Sequence, residues 1–269
     1  MKTYRRALTI AGSDSGGGAG IQADLKTFAA LGCYGMSVIT ALTAQNTVAV
    51  TGIHPVPPEF IAQQIDAIME DIGVDAVKIG MLHSSAVIRT VAERLAHYGV
   101  SNVVVDPVMV AKSGARLLQE EAVEALRDLL IPLATVLTPN LPEAAMLLQK
   151  PIGERKDMED ACRELARLGP AAVLLKGGHL PGGSSPDLLY CRNNDTWLTL
   201  ETARVETPNT HGTGCTLSSA IAAYLASGCG IEEAVKRAKA YITSALKAGA
   251  SYRLGRGHGP VHHFHAYWE

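Results

Sequence analysis

The residues most suited to chemistry in this sequence form a short stretch of glycine, threonine, histidine and cysteine. It reads Thr210-His211-Gly212-Thr213-Gly214-Cys215-Thr216, and residues 217–225 follow with the apolar pattern of a helix. Two glycines at a helix start leave backbone amides unpaired and pointing outward, with the helix dipole behind them. Such a start suits a phosphate or a developing oxyanion, although glycine and threonine also cap helices with no ligand present.

Three other segments place carboxylates and a lysine directly after short apolar runs. They are Asp106-Pro107-Val108-Met109, Thr138-Pro139-Asn140-Leu141-Pro142-Glu143 and Lys176-Gly177-Gly178-His179. Strand-end carboxylates can hold hydrated Mg²⁺, which takes few protein ligands, and a lysine can meet phosphate charge as a point cation. Each segment alone is typical of a cap, a turn or a surface ion pair. All of them on one rim, together with the 210–216 stretch, indicate a phosphoryl-transfer site.

A glycine-rich segment near the N-terminus is the second candidate for ligand binding. It runs from Gly12 to Gly20, and a helix is predicted to begin near Ile21. Glycine lets the backbone approach a ligand closely, so the segment is either a substrate-facing loop or a flexible strand-to-helix turn. Residues 18–23 fit a loose dinucleotide fingerprint, but the second strand ends without the acid that a ribose needs. No GxxxxGK(S/T) segment occurs, which excludes a Walker-type enzyme.

Apolar runs and helical patterns alternate along the chain. The strands and helices that they predict must position these loops. The runs predicted as buried strands are 7–11, 36–42, 76–79, 103–105, 134–137 and 172–175. Residues 58–72 and 87–95 have apolar side chains at helical spacing. The pattern predicts an α/β fold with a largely parallel central sheet and helices on both faces, which binds ligands beyond the carboxyl ends of its strands. Residues 180–199 are predicted as a turn and a peripheral or antiparallel hairpin.

Composition and charge exclude several function classes. The 269 residues carry a net charge of −2 with Lys and Arg interspersed among acids, so there is no electrostatic footprint for nucleic acid or an anionic membrane. The first apolar segment is too short for a signal peptide or a membrane span, and we expect a cytoplasmic protein with a small-molecule partner. The five cysteines show no metal-ligand spacing. No linker or repeat divides the chain, so we expect one domain over residues 1–269.

Taken together, the motifs resemble those of a known enzyme family. Residues 212–215 are similar to the anion-hole signature of ribokinase-like kinases, and residues 140–143 resemble the NxxE magnesium motif of that class. Residues 11–24, 40–46 and 78–82 resemble the hydroxymethylpyrimidine/phosphomethylpyrimidine kinases of thiamine biosynthesis specifically. This resemblance implies the ribokinase-like fold, a homodimer, and the use of ATP and Mg²⁺. The implied activity is phosphorylation of the hydroxymethyl group of an aminopyrimidine, and then of its monophosphate.

The resemblance also implies a role for each candidate site residue. Those lining the acceptor pocket would be Gly12, Asp24, Gln45, Met81 and Val108, with Asp24 and Gln45 contacting the aminopyrimidine. Those near ATP would be Lys176, Thr210, Gly212 and Gly214, and those positioning Mg²⁺ through water would be Asp106 and Glu143, supported by Asn140. The catalytic set would be Gly212, Thr213, Gly214 and Cys215, with Cys215 nearest the acceptor hydroxyl and a candidate base.

The charge state of Cys215 can be anticipated from elementary chemistry. A free thiol has a pKa of about 8.5, so roughly 3% is ionised at neutral pH, and a nearby γ-phosphate disfavours the thiolate further. We therefore expect a protonated thiol. Three alternatives to the pyrimidine kinase stay open: a pyridoxal kinase, whose substrate also carries a hydroxymethyl group, a nicotinamide-dependent oxidoreductase using the first glycine loop, and a non-catalytic ligand sensor.

Overall fold

The computed structural model describes residues 2–109, 118–119, 121–178, 184 and 186–268. The strands are β1 (Arg6–Asp14), β2 (Tyr34–Gln45), β3 (Val50–Pro55), β4 (Ala76–Ile79), β5 (Val103–Val105), β6 (Val136–Leu137), β7 (Ala172–Lys176), β8 (Asp187–Cys191) and β9 (Thr196–Leu200). The helices are α1 (Gly20–Ala30), α2 (Pro58–Asp71), α3 (Ser85–His97), α4 (Ala122–Ala125), α5 (Leu141–Leu148), α6 (Asp157–Arg167), α7 (Thr213–Ala226) and α8 (Ile231–Gly249). A π turn at Leu126–Leu130 and a 3₁₀ turn at Ile131–Leu133 continue α4.

The strands form one sheet in the order β3-β2-β1-β4-β5-β6-β7-β8-β9. From β2 to β7 neighbouring strands are parallel, whereas β3, β8 and β9 add antiparallel pairings at the two edges. The prediction of a largely parallel sheet is confirmed. So is the antiparallel hairpin, formed by β8 and β9, although the turn predicted at residues 181–186 lies mostly outside the described residues.

Alternate side chains of the central strands pack against two separate layers of helices. Leu8 and Ile10 of β1 belong to a core with α2, α3, α5 and α6, whereas Ala7 belongs to a second core with α1, α7 and α8. In β5, Val105 faces the first core and Val104 the second. Apolar residues are needed at every position of such strands because both faces are covered. The predicted helices on both faces of the sheet are therefore confirmed.

Parallel pairing brings the loops that carry the polar motifs to one edge of the sheet. The loops after β1, β5, β6 and β7 all leave from carboxyl ends of adjacent or nearby parallel strands. An isolated parallel bridge between Asn140 and Lys176 extends the pairing beyond β6 and ties two of these loops together. The rim inferred from the sequence is thus assembled by the sheet itself.

Some elements differ from their predicted extents. Strand β6 has two residues instead of the four predicted at 134–137, because Ala134 still donates its amide to Ile131 at the end of the 3₁₀ turn. Strand β3 and helix α8 were not predicted. No helix in the described part of the chain combines the length and apolar character needed to cross a membrane.

Candidate active site

A cavity of about 910 Å³ opens at the carboxyl edge of the parallel strands. This volume is in the range typical of small-molecule sites. All the predicted site residues except Asp24 line it, namely Gly12, Gln45, Met81, Asp106, Val108, Asn140, Glu143, Lys176, Thr210, Gly212, Thr213, Gly214 and Cys215. The structure therefore brings together residues from the first glycine loop, the strand ends and the start of α7. Their individual roles stay predictions.

The start of α7 has the backbone geometry expected of an anion-binding site. Gly212 is the N-cap with φ of 78°, and it provides no side chain to cap the first turn. A Cβ at this position would collide with the carbonyl oxygen of Gly18, so the backbones of the two glycine segments lie in direct contact here. Thr213 donates its hydroxyl to the carbonyl of Thr210 at 2.7 Å, which holds the entry to the helix. The Thr213 amide donates to the Thr210 carbonyl at 3.3 Å, and the next amides of the turn, those of Gly214 and Cys215, are the ones suited to a ligand.

Asp106, Glu143 and Lys176 form a buried charge cluster beside this helix start. Lys176 Nζ lies 2.9 Å from Asp106 Oδ1 and 4.0 Å from Glu143 Oε2. Burial would lower the pKa of Lys176, but the two carboxylates outweigh it and raise the pKa above 10.5. Burial raises the pKa of Glu143 to about 7, with Asp106 adding to the shift and Lys176 opposing it. Lys176 therefore stays protonated, whereas the negative charge of Glu143 is only partly compensated by its neighbours.

The Asn140-to-Glu143 motif has a second role in the structure. Asn140 Oδ1 accepts from the Glu143 amide and Glu143 Oε2 accepts from the Asn140 amide, both at 2.8 Å. This reciprocal pair is a capping box at the start of α5. One oxygen of Glu143 is therefore held by its own helix, which aims the carboxyl group at the cavity.

Cys215 lies in the first turn of α7, facing the cavity. Burial raises the pKa of its thiol to about 11, with Lys78 opposing the shift and Asp24 adding to it. This raised pKa agrees with the expected protonated thiol, because Lys78 does not offset burial.

The position of Asp24 differs from the expectation that it lines the acceptor pocket. Its carboxylate is fully buried and accepts from Lys78 Nζ at 3.0 and 2.9 Å, one distance to each oxygen. Thr9 donates to one oxygen at 2.7 Å and Ser219 to the other at 2.6 Å. With both oxygens engaged behind the cavity wall, Asp24 has no position from which to contact the aminopyrimidine. It is Lys78 that reaches the cavity lining.

Sequence reasoning missed two further pairs of ionisable side chains that line the cavity. His211 Nε2 lies 2.8 Å from Asp14 Oδ2, and Lys239 Nζ lies 2.6 Å from Asp187 Oδ2. Asp14 and His211 both stand inside segments singled out as glycine loops, so their ionisable side chains were an available signal. Asp187 and Lys239 had no such signal, because a hairpin strand and a helix interior bring them together.

A mostly parallel sheet whose carboxyl edge carries a helix start, two carboxylates and a lysine defines the ribokinase-like class of small-molecule kinases. Comparison with solved structures agrees. The fold is similar to that of Bacillus subtilis pyridoxal kinase in an ADP complex, with a TM-score of 0.91 and 40% identity, covering 99% of this chain and 100% of that one.

The chain belongs to the phosphomethylpyrimidine kinase family, whose model matches residues 14–262. The hydroxymethylpyrimidine/phosphomethylpyrimidine kinase of Rhizobium meliloti is 53% identical over 264 residues, covering 98% of each chain. The thiamine biosynthesis bifunctional protein of Geobacter sulfurreducens is 55% identical over 256 residues, or 95% of this chain, which spans 51% of that protein's length. The resemblance inferred from the motifs is confirmed.

Proposed function

We propose that this chain transfers the γ-phosphoryl group of ATP to 4-amino-5-hydroxymethyl-2-methylpyrimidine, and then to its monophosphate, in thiamine biosynthesis. The observation that carries the proposal is one cavity containing both an uncapped helix start beside Lys176 and the side chains of Gln45, Met81 and Val108. The first set suits a nucleotide phosphate and the second a small ring. Membership of the phosphomethylpyrimidine kinase family supports the same reaction.

The residues around α7 would act mainly by stabilising charge. An added Cβ on Gly214 would lie 3.5 Å from both Lys176 Nζ and Asp106 Oδ2, so the backbone here adjoins the cation and the carboxylate. Amides of the first turn and Lys176 would hold the transferring phosphoryl group. Phosphoryl transfer through a loose transition state needs little early deprotonation of the acceptor. A protonated Cys215 is compatible with that, since it can position the hydroxyl without acting as a base.

Asp106 and Glu143 suit a magnesium ion that arrives with ATP. In the described part of the chain no group of three or more His, Cys, Asp or Glu side chains could enclose a metal, so direct coordination by protein alone is not built in. Two carboxylates acting through water are the donor set that hydrated Mg²⁺ accepts. The raised pKa of Glu143 marks a negative charge that a dication would compensate. When bound, the ion would neutralise phosphate charge during transfer.

Pyridoxal is the second candidate acceptor. It also carries a hydroxymethyl group, and the solved pyridoxal kinase is 40% identical to this chain. The pyrimidine kinase of Rhizobium meliloti is 53% identical over a similar span, which favours the pyrimidine. Gln45 adds a chemical reason, because an amide can meet the amino group and ring nitrogen of an aminopyrimidine at once.

The proposal extends to the domain organisation, localisation and oligomeric state of the enzyme. We expect one catalytic domain that works in the cytoplasm as a homodimer. The edge of the sheet at β3 is a candidate contact surface, since Leu42 and Val48 nearby are 47% and 58% exposed. Light scattering of the purified protein would measure the oligomeric state.

A phosphorus NMR time course tests the reaction. The protein, ATP and Mg²⁺ are incubated with the hydroxymethylpyrimidine, with pyridoxal, and with neither. The monophosphate of the pyrimidine should appear first and the diphosphate after it, while phosphorylation of pyridoxal is slower. ADP release without a phosphorylated pyrimidine would contradict the proposal, and faster turnover of pyridoxal would establish the second candidate.

A further inference from the structure

The side chain of His211 lies where three loops of the cavity meet. Its Nε2 is 2.8 Å from Asp14 Oδ2 at the end of β1 and 3.4 Å from the amide nitrogen of Gln45 at the end of β2. Its own backbone leads into Gly212 at the start of α7. A side chain on Gly18 would collide with the imidazole, so the ring packs directly on the first glycine loop.

The partners of Asp14 fix the position of one proton on His211. Asp14 accepts amide hydrogen bonds from Gly16 at 2.8 Å, Gly18 at 3.1 Å and Ala19 at 2.8 Å. Burial alone would raise the pKa of Asp14, but the His211 hydrogen bond and those from Ala19 and Gly16 outweigh it and hold the pKa below 3.8. An ionised carboxylate has no proton to give. Nε2 of His211 therefore carries the hydrogen and donates it to Asp14.

The proton on His211 in turn constrains the amide of Gln45. A protonated Nε2 has no lone pair, so it cannot accept from the amide NH₂ and instead favours the amide oxygen as its neighbour. The oxygen and nitrogen of a glutamine amide exchange by a half-turn, and the hydrogen-bond network decides between the two orientations. The hydrogen-bond network around His211 therefore favours the orientation in which the Gln45 amide oxygen faces the imidazole.

Thr43 selects the same orientation from the other side. Its hydroxyl lies 2.8 Å from the carbonyl oxygen of Ser13 and 3.2 Å from the Gln45 amide atom that the structure places as Oε1. A hydroxyl has one proton, and the shorter contact with Ser13 takes it. Thr43 Oγ1 is then an acceptor and needs the NH₂ of Gln45. Both neighbours thus favour the amide nitrogen toward Thr43 and the oxygen toward His211. This orientation is a half-turn from the placement in the structure, where Nε2 of Gln45 faces His211 and Oε1 faces Thr43.

We propose that His211 and Thr43 are positioning residues that fix the orientation of the Gln45 amide and thereby select an aminopyrimidine over pyridoxal. The inference rests on the proposed function. A fixed amide offers one N–H donor and one oxygen acceptor in a set order to the cavity. The aminopyrimidine has a ring nitrogen beside an amino group, which is the complementary pair. In pyridoxal the hydroxyl and the neighbouring aldehyde oxygen hydrogen-bond to each other, so that pair is less available to a fixed amide than the ring nitrogen and amino group of the pyrimidine.

Three substitutions and a control test this role. Thr43→Val removes the hydroxyl at nearly constant volume, His211→Leu removes the ring donor, and His211→Gln restores an N–H donor toward Asp14. Thr51→Val is the matched control, because the Thr51 hydroxyl bonds to the carbonyl of Ala44 in the same hairpin and not to the Gln45 side-chain amide. Melting temperatures of all four variants establish that they fold.

The measurements are calorimetric Kd values for the hydroxymethylpyrimidine and for pyridoxal without nucleotide, followed by kcat/KM for both acceptors and KM for ATP. Thr43→Val and His211→Leu should weaken pyrimidine binding by about five- to tenfold, the scale of one hydrogen bond, and pyridoxal binding by less than about twofold. His211→Gln should recover most of the selectivity. KM for ATP should stay unchanged in Thr43→Val, and Thr51→Val should match the wild type.

Two kinds of failure are distinguishable. A wild-type protein that does not bind the pyrimidine would overturn the proposed function and this inference with it. A wild-type protein that binds and phosphorylates the pyrimidine, with an unchanged preference in Thr43→Val, would overturn the inference alone. Equal weakening of both acceptors would do the same, since it would mean that Thr43 only supports the fold. If His211→Leu does not fold, Thr43→Val decides.

Discussion

Cys215 combines a position in the first turn of α7 with a thiol pKa raised to about 11. Replacement by serine keeps a neutral hydrogen-bonding group of similar size at the same place. We expect Cys215→Ser to retain activity within about tenfold of wild type, because charge stabilisation by amides carries most of the catalysis. Steady-state kcat and KM for both substrates measure this.

Gly214 provides the comparison for that experiment. Leucine at this position would project between Lys176 and Asp106 without a backbone clash, since its Cβ would be 3.5 Å from the nearest atoms of each. Gly214→Leu should therefore fold normally and lose about a hundredfold or more in kcat, the scale of a lost oxyanion donor. An inactive Cys215→Ser beside an active Gly214→Leu would mean that thiol chemistry dominates.

Glu143 gives a prediction with a defined pH dependence. Its pKa is about 7 in the folded protein against an ordinary 4.5, so the folded state binds more protons between these values and stability falls as pH rises through them. Glu143→Gln removes this dependence while glutamine preserves the capping box. The variant should gain stability relative to wild type between about pH 5 and about pH 8, measured by urea unfolding.

The same variant tests the proposed magnesium role. Turnover should fall strongly and the magnesium concentration for half-maximal rate should rise, because one of two carboxylates no longer carries charge. Unaltered magnesium dependence would remove Glu143 from the metal site. A stability difference that is constant with pH would show instead that the buried carboxyl group keeps an ordinary pKa.

Single residues could be predicted from the sequence where the motif itself supplies the geometry. Gly212 belongs to a helix start and Asn140 to a capping box. Both are local patterns, because the residues that form them are close in sequence. Asp24 was wrongly placed in the acceptor pocket because its partner Lys78 lies on another strand, and only the folded sheet shows that the two neutralise each other. His211 belongs to the motif at residues 210–216, yet its partner Asp14 lies 197 positions away, so only the fold shows that they pair.

At the scale of elements, the Asp24–Lys78 pair joins four of them. Asp24 is on α1 and Lys78 on β4, while Thr9 of β1 and Ser219 of α7 complete the carboxylate's hydrogen bonds. Asp24→Ala would leave a fully buried ammonium unpaired and should destabilise the fold by about 3–5 kcal/mol. Asp24→Ala combined with Lys78→Met should recover much of this loss, as measured by urea unfolding. Selective loss of pyrimidine binding with full stability would restore Asp24 to the acceptor pocket.

Elements were predictable in proportion to their burial. Strands β4 and β5 occupy the predicted residues because every side chain in them is buried, and apolar runs, interrupted in β4 by Lys78, follow from that. Strand β3 lies at the sheet edge with most residues exposed, so it has no apolar signal. Helix α8 does bury residues at helical spacing, among them Ala234, Ala238, Ile242 and Ala245. This spacing is itself a sequence signal for a helix.

At the scale of the whole molecule, the segment after α8 ties distant parts of the site together. Asn209 donates its side-chain amide to the carbonyls of Gly249 and Tyr252 at 2.7 and 2.6 Å, and a side chain on Gly259 would collide with it. Asn209→Ala should lower stability by about 1–3 kcal/mol, because the buried Gly249 carbonyl and the partly buried Tyr252 carbonyl lose their donor. Asn193→Ala, in the exposed β8–β9 turn, is the control, and equal stability of both variants would refute the role.

The contacts of residues 257–259 bear on when the enzyme becomes active during its own synthesis. His258 donates its amide to the Thr47 carbonyl and His211 donates its amide to the Gly259 carbonyl, each at 3.0 Å. The parallel strands can pair as soon as β7 has left the ribosome, since chains fold progressively from the N-terminal side. The loops that carry Gln45 and Gly212 acquire these anchors only later. A nascent chain with a formed sheet should thus hold its acceptor and nucleotide loops loosely, and ATP consumption should begin only once residue 259 has emerged.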